Sequence, residues 1–172
     1  MNNYQIKCEN IKDGNHFYNF TITDSFFDEF IDSEITQADI NVSVIMKKNI
    51  YKKEIEISIN GIVNNLVCDL CAEEIPVEIL SNTKFLIKNC EKKKESLDEI
   101  IYVEKNQDKI YIKNLLFEMI VLALPNQRKH SIVNGKRNCN EKMLELIDKY
   151  SSNTSFNDSR WNELKKIKER IK

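Results

Sequence analysis

The sequence predicts an α+β fold: an antiparallel, β-rich N-terminal half arranged as a meander or partial barrel, a buried central helix, and two C-terminal helices. Three observations carry this expectation. Ile40, Val42, Val44 and Met46 alternate with polar residues, as do Ile55, Ile57 and Ile59, and a period of two marks a strand with one buried face. Ile112, Leu115, Leu116, Met119, Ile120 and Ala123 recur at helical spacing, and Phe117, Val121, Leu122 and Leu124 fill the other sides, so this helix should lie in the core. Beyond Pro125, apolar residues share a helical face twice more: Met143, Leu144 and Ile147, then Trp161, Leu164, Ile167 and Ile171. Residues 1–150 should form a single α+β domain. Residues 151–172 should form a polar linker and a C-terminal helix that packs on it or extends from it.

Taken in order, Tyr4–Cys8 reads as a short strand, and Asp13-Gly14 is a turn signal before the strand-like run of Phe17, Phe20 and Ile22. Asp24 or Ser25 should cap a short helix whose Phe26, Phe27, Phe30 and Ile31 plug the core. Asn49 marks the turn of a hairpin between the two alternating strands. Asn60-Gly61 and Asn64-Asn65 tolerate positive φ and predict a bulge or bend. Ile75, Val77 and Ile79, then after a break Phe85 and Ile87, form the return strand. Ile100–Val103 and Lys109–Ile112 are short strand candidates. Pro125 ends the central helix, Asn140 can cap the next helix, and Asp158 or Ser159 the last.

Composition narrows the function classes. Of 172 residues, 41% are apolar and 31% charged, which suits a globular chain able to bury a core without disulfides. With three glycines, and no Walker loop, dinucleotide glycine pattern, HExxH or nucleophile elbow, a phosphate-cradling loop or familiar hydrolase is not expected. The net charge of -1 is uninformative, but its distribution is not. Asp24, Asp28, Glu29, Asp32, Glu34 and Asp39 form an acidic N-terminal stretch. Arg128, Lys129, Lys136 and Arg137 form a basic loop, and Lys165, Lys166, Lys168 and Arg170 a basic side of the last helix. These two basic sets are the candidate contacts for RNA phosphates. No apolar run of transmembrane length and no signal peptide is evident, and the cysteine count of five is odd. The expectation is therefore a reducing, cytoplasmic setting with no membrane and no small-molecule substrate.

Cys68 and Cys71 enclose Asp69 and Leu70 in a C-x-x-C turn. Such a turn supplies two ligands of a zinc tetrahedron; His130 and Cys139, in the loop after the central helix, are the candidates for the other two. Their wide spacing leaves the second half-site ragged, and a reduced cysteine pair closing a tight β turn is the plainer reading. A redox dithiol is disfavoured, because the motif follows a meander and Asp69, Glu73 and Glu74 should raise the thiol pKa. Cys8 and Cys90 read as small apolar residues and His16 as a locally bonded turn residue. Glu118, the one acid inside the central helix, has no second acid or histidine placed to make it catalytic.

Gly61 followed by CDLC, then LLFEMIVLALP at Leu115–Pro125, then His130 and Cys139, then NDSRWNELKKIK at Asn157–Lys168, resemble in that order the YceD family of bacteria and plastids, the large ribosomal RNA subunit accumulation proteins. That family carries arginine where this chain has Leu70 and proline where it has Ser159, and some members hold more cysteines in the loop after LALP. The resemblance implies a non-enzymatic ribosome-biogenesis factor that supports accumulation or processing of 23S ribosomal RNA by binding large-subunit RNA or its precursor. No catalytic residues come with it. The alternative is an adaptor that binds a ribosomal protein or assembly factor through the acidic N-terminal face.

Overall fold

A computed structural model describes residues 4–31, 33–91, 99–105, 107–133 and 136–151. The expected last helix, with Trp161 and its basic residues, lies outside them. The architecture is α+β, and the main sheet is open rather than closed into a barrel. Its strands are β2 (Gly14–Ile22), β3 (Gln37–Lys48), β4 (Lys53–Val67), β5 (Glu74–Cys90) and β6 (Ile100–Glu104), in that spatial order. Pairs β2–β3, β3–β4 and β4–β5 are antiparallel, and β6 joins β5 in parallel. A separate two-stranded ribbon pairs β1 (Gln5–Lys7) with β7 (Lys109–Tyr111).

The period-two residues do what their spacing requires. Ile40, Val42, Val44 and Met46 on β3 and Ile55, Ile57 and Ile59 on β4 point to one face and are at most 2% exposed. Above that face lies the central helix α1 (Lys113–Ala123), which buries Leu116, Met119 and Ile120. Leu122 on its far side is exposed, so the helix packs through one stripe although its sequence is apolar nearly all round. Phe26 and Phe27 join the core from a 3-10 turn at Asp24–Glu29, and Phe30 stacks on Phe117 with ring centroids 3.9 Å apart. The three phenylalanines thus form the plug their spacing suggested, but Ile31 does not join it: the 3-10 turn ends at Glu29 and Ile31 is 98% exposed. Asp24 does not cap that turn; its carboxylate accepts the N–H of Ala38 at 2.9 Å and fastens the turn to the start of β3.

Near the C-x-x-C turn the sheet is irregular in the predicted place. The β4–β5 register shifts between Val63 and Leu66, and Asn65 has φ +58, an outlier that asparagine tolerates. At Gly61 a Cβ would stand 2.3 Å from the Asp39 carbonyl oxygen, so only glycine lets β3 approach this closely. The return strand β5 runs unbroken for 17 residues. The expected break before Phe85 is absent, because Ser81 and Thr83 keep the inward register and stand half-buried in the groove beside α1, while Asn82 between them faces outward.

A candidate metal centre

The turn between β4 and β5 is the Cys68–Glu73 segment itself. The N–H of Ala72 donates to the Cys68 carbonyl and that of Cys68 to the Glu73 carbonyl, both at 2.9 Å. Ala72 takes φ +58, a left-handed residue directly after the second cysteine, where the chain turns back toward β5.

The loop after α1 is drawn onto this turn by polar contacts on either side of its two ligand candidates. Before His130, the N–H of Asp69 donates to the Arg128 carbonyl at 2.8 Å, and the N–H of Arg128 donates to the Asp69 carboxylate at 2.7 Å. The Arg128 guanidinium then forks onto both oxygens of Glu34, each at 2.9 Å. After Cys139, the Asn140 side-chain amide donates to Glu73 at 2.9 Å, while its oxygen caps the helix α2 (Glu141–Tyr150) through the N–H of Met143. Between these anchors runs a hairpin of β8 (Ile132–Val133) and β9 (Lys136–Arg137).

Cys68, Cys71, His130 and Cys139 are thereby brought together, with one ligand atom from each lying within 4.8 Å of all the others. The Nδ1 of His130 stands 3.5 Å from the sulfurs of both Cys71 and Cys139. The three thiols are buried, at 1%, 3% and 8% exposure, and the imidazole is half-buried. This set of three sulfurs and one nitrogen can hold a metal ion. The ragged spacing of His130 and Cys139 is no obstacle, since the anchors at Arg128 and Asn140 supply the convergence that sequence distance does not reveal.

The electrostatics differ from the sequence expectation. Burial pushes the Cys68 thiol up, but backbone N–H groups of Leu70, Cys71 and His130, together with the His130 side chain, outweigh it and bring Cys68 down to about 6. Neighbouring carboxylates should have raised it; Asp69 and Glu73 instead spend their oxygens on Arg128 and Asn140. The Cys139 thiol is pushed up to about 11, first by burial and then by the sulfurs of Cys71 and Cys68. Three sulfurs this close cannot all carry charge without a cation between them.

The other candidates fall as follows. Arg128 is occupied by Glu34, Lys129 donates to Gln127 at 2.8 Å, and Lys136 and Arg137 lie on β9. Lys165, Lys166, Lys168 and Arg170 lie outside the described residues. In the acidic stretch, Asp24 and Glu34 are used as described and Glu29 pairs with Lys113 at 2.5 Å, while Asp28 and Asp39 are exposed and Asp32 lies outside the described residues. Cys8 and Cys90 are buried, with sulfurs 3.5 Å from the carbonyls of Gln107 and Val103, and the His16 ring bonds the Lys12 carbonyl. Among the described residues no helix is long and apolar enough to cross a membrane. Comparison of the chain with protein-family models, curated proteins and solved structures finds no match in any of the three.

Proposed function

We propose that this chain is a non-enzymatic RNA-binding protein of large ribosomal subunit assembly, in which a structural zinc ion held by Cys68, Cys71, His130 and Cys139 fixes a basic hairpin on the end of the sheet. The observation that carries the reading is the convergence of these four ligands within 4.8 Å at the base of that hairpin. With zinc–sulfur bonds near 2.3 Å and zinc–nitrogen bonds near 2.0 Å, a tetrahedral site has an S···N edge of about 3.5 Å. His130 Nδ1 keeps that distance from two sulfurs. Three cysteines and a histidine select zinc over hard cations, and four protein ligands leave no open position for water or substrate, so the ion would build rather than catalyse.

Bound zinc would hold in place the loop that carries Lys129, Lys136 and Arg137, the cations offered to RNA phosphates, with Arg128 acting as the clamp to Glu34 rather than as a contact. The choice of large-subunit ribosomal RNA rests on the resemblance to the YceD family. The acidic N-terminal face is a weaker docking surface for a basic protein, since Asp24, Glu29 and Glu34 are engaged within the chain.

The test is metal analysis of the purified chain together with binding to large-subunit precursor RNA at several salt concentrations. About one zinc per chain is expected, with RNA binding that weakens steeply with salt. Cys71→Ser should lose the zinc, and Lys136→Glu with Arg137→Glu should lose the RNA but keep the zinc. Zinc-free protein with intact RNA binding would refute the coupling. Pull-downs that survive nuclease treatment would point to a protein partner instead.

A further inference from the structure

The turn between β3 and β4 stands at the end of the sheet away from the metal centre. β4 is 15 residues long, so the two ends lie about 45 Å apart at ~3.3 Å per residue. From its residues this place reads only as a turn, but it is a built one. The Asn49 side-chain oxygen accepts the N–H groups of Tyr51 at 2.9 Å and Lys52 at 2.6 Å, and the Asn49 N–H donates to the Lys52 carbonyl at 3.0 Å. An asparagine that closes its own turn in this way fixes the backbone of the residues that follow it. What it holds out at the apex is large and mostly apolar: Ile50 is 83% exposed and Tyr51 95%.

The apex is framed by cations, Lys47 and Lys48 before it and Lys52 and Lys53 after it. Three of them meet acids: Lys47 pairs with Glu56 at 2.7 Å, Lys52 with Glu54 at 2.5 Å, and Lys53 with Glu9. The Lys48 ammonium donates to the Ile11 carbonyl at 2.8 Å instead. Lys84 also faces Glu56, 3.9 Å away, so five lysines stand against three glutamates. The Lys52 and Glu54 side chains are 51% and 35% exposed; an ion pair in that much water is weak, and a phosphate can compete for the ammonium. An aromatic ring open to solvent beside surplus positive charge matches the two parts of an unpaired nucleotide, a base that stacks and a phosphate that carries charge. A bilayer is a poorer match, since an interfacial anchor needs a continuous apolar face and this apex offers two side chains.

We propose that the β3–β4 turn is a second RNA contact, in which the Tyr51 ring stacks on an unpaired base, Ile50 packs beside it, and Lys48 and Lys52 hold the flanking phosphates. The contact rests on the RNA-binding reading above and adds to it the class of RNA: a loop or bulge with a base free to leave its stack. A regular duplex offers the ring nothing, because its bases are already stacked on one another. Stacking of this kind tolerates any base, since every base has a π face. With the basic hairpin at the other end of β4, the chain would touch its RNA at two separated points.

Binding of the full chain to large-subunit precursor RNA, to a short unpaired oligoribonucleotide and to the matching duplex tests it. Tyr51→Ala should weaken binding to the single strand by about 5- to 150-fold and leave its salt dependence as it was. Tyr51→Phe should bind like the parent, because the ring face remains. Lys48→Ala with Lys52→Ala should weaken binding and flatten its salt dependence. The duplex should bind weakly and be indifferent to Tyr51. Zinc content and the circular dichroism spectrum should match the parent in every variant. Unchanged affinity in Tyr51→Ala overturns the proposal; if Lys136→Glu with Arg137→Glu still abolishes binding, the RNA-binding reading stands without it. A parent chain that binds none of the three RNAs overturns both. Equal losses on the single strand and the duplex overturn the stacking, as does a chain that needs Tyr51 for phosphatidylglycerol vesicles but not for RNA.

Discussion

Arg128 joins three parts of the chain that are distant in sequence. Its backbone exchanges two hydrogen bonds with Asp69 between the two cysteines of the turn, and its guanidinium takes both oxygens of Glu34 in the segment before β3. The backbone bonds survive any side-chain change, whereas the fork to Glu34 does not, so substitution separates orientation from attachment. Arg128→Ala should leave the four ligands in place but free the segment that carries His130. Loss of such a supporting contact lowers metal affinity by about 10–100-fold, measurable by chelator competition. Arg128→Lys should recover little, because an ammonium cannot make the bidentate contact. Unchanged zinc affinity in both variants would mean that the Asp69 bonds alone position the loop.

The hairpin of β8 and β9 has two residues per strand, far too little to stand alone in water. It owes its place to what flanks it: the ligands His130 and Cys139, the Asp69 and Glu34 contacts on one side, and the Asn140 cap of α2 on the other. Removing zinc by chelation should therefore raise hydrogen exchange across 129–139 while β3 and β4 stay protected. Equal exchange with and without the metal would show that the polar anchors suffice. How much of this was legible beforehand follows from the same facts. The C-x-x-C turn and the bulge near Asn65 are local events, so residue type and spacing reveal them. His130 and Cys139 could be named as the second pair from residue type, but their convergence on the turn depends on Arg128 meeting Asp69 and Asn140 meeting Glu73 across roughly sixty residues, which no spacing rule encodes. The low pKa of Cys68 was missed for a related reason. Sequence shows the nearby carboxylates but not the backbone N–H groups that the turn aims at the sulfur.

At the scale of the whole molecule, the chain is stitched through pairings that periodicity cannot assign. Both β1 and β7 read as strands from their residues, yet their pairing joins segments about a hundred residues apart. Next to that ribbon, Glu9 accepts from the Lys53 ammonium and from Asn89 at 3.0 Å, fixing the N-terminal segment to the first residue of β4 and the far end of β5. The Glu9 and Lys53 side chains are 22% and 17% exposed, so the pair is only partly screened. Burial alone would raise the Glu9 carboxyl, but hydrogen bonds from Lys53 and Asn89 and the charges of Lys53 and Lys48 hold it below its ordinary 4.5. A carboxyl whose folded value lies below its unfolded one binds fewer protons when folded, so its contribution is complete above pH 4.5 and fades as the pH falls through the lower folded value. Glu9→Gln should therefore cost about 1 kcal/mol at neutral pH. The gap to the parent protein should close in acid, because there the parent's Glu9 is also uncharged. Urea titrations of both proteins at neutral pH and well below 4.5 check it. A difference of the same size at both pH values would assign the loss to side-chain geometry, not to the charge that Glu9 presents to Lys53.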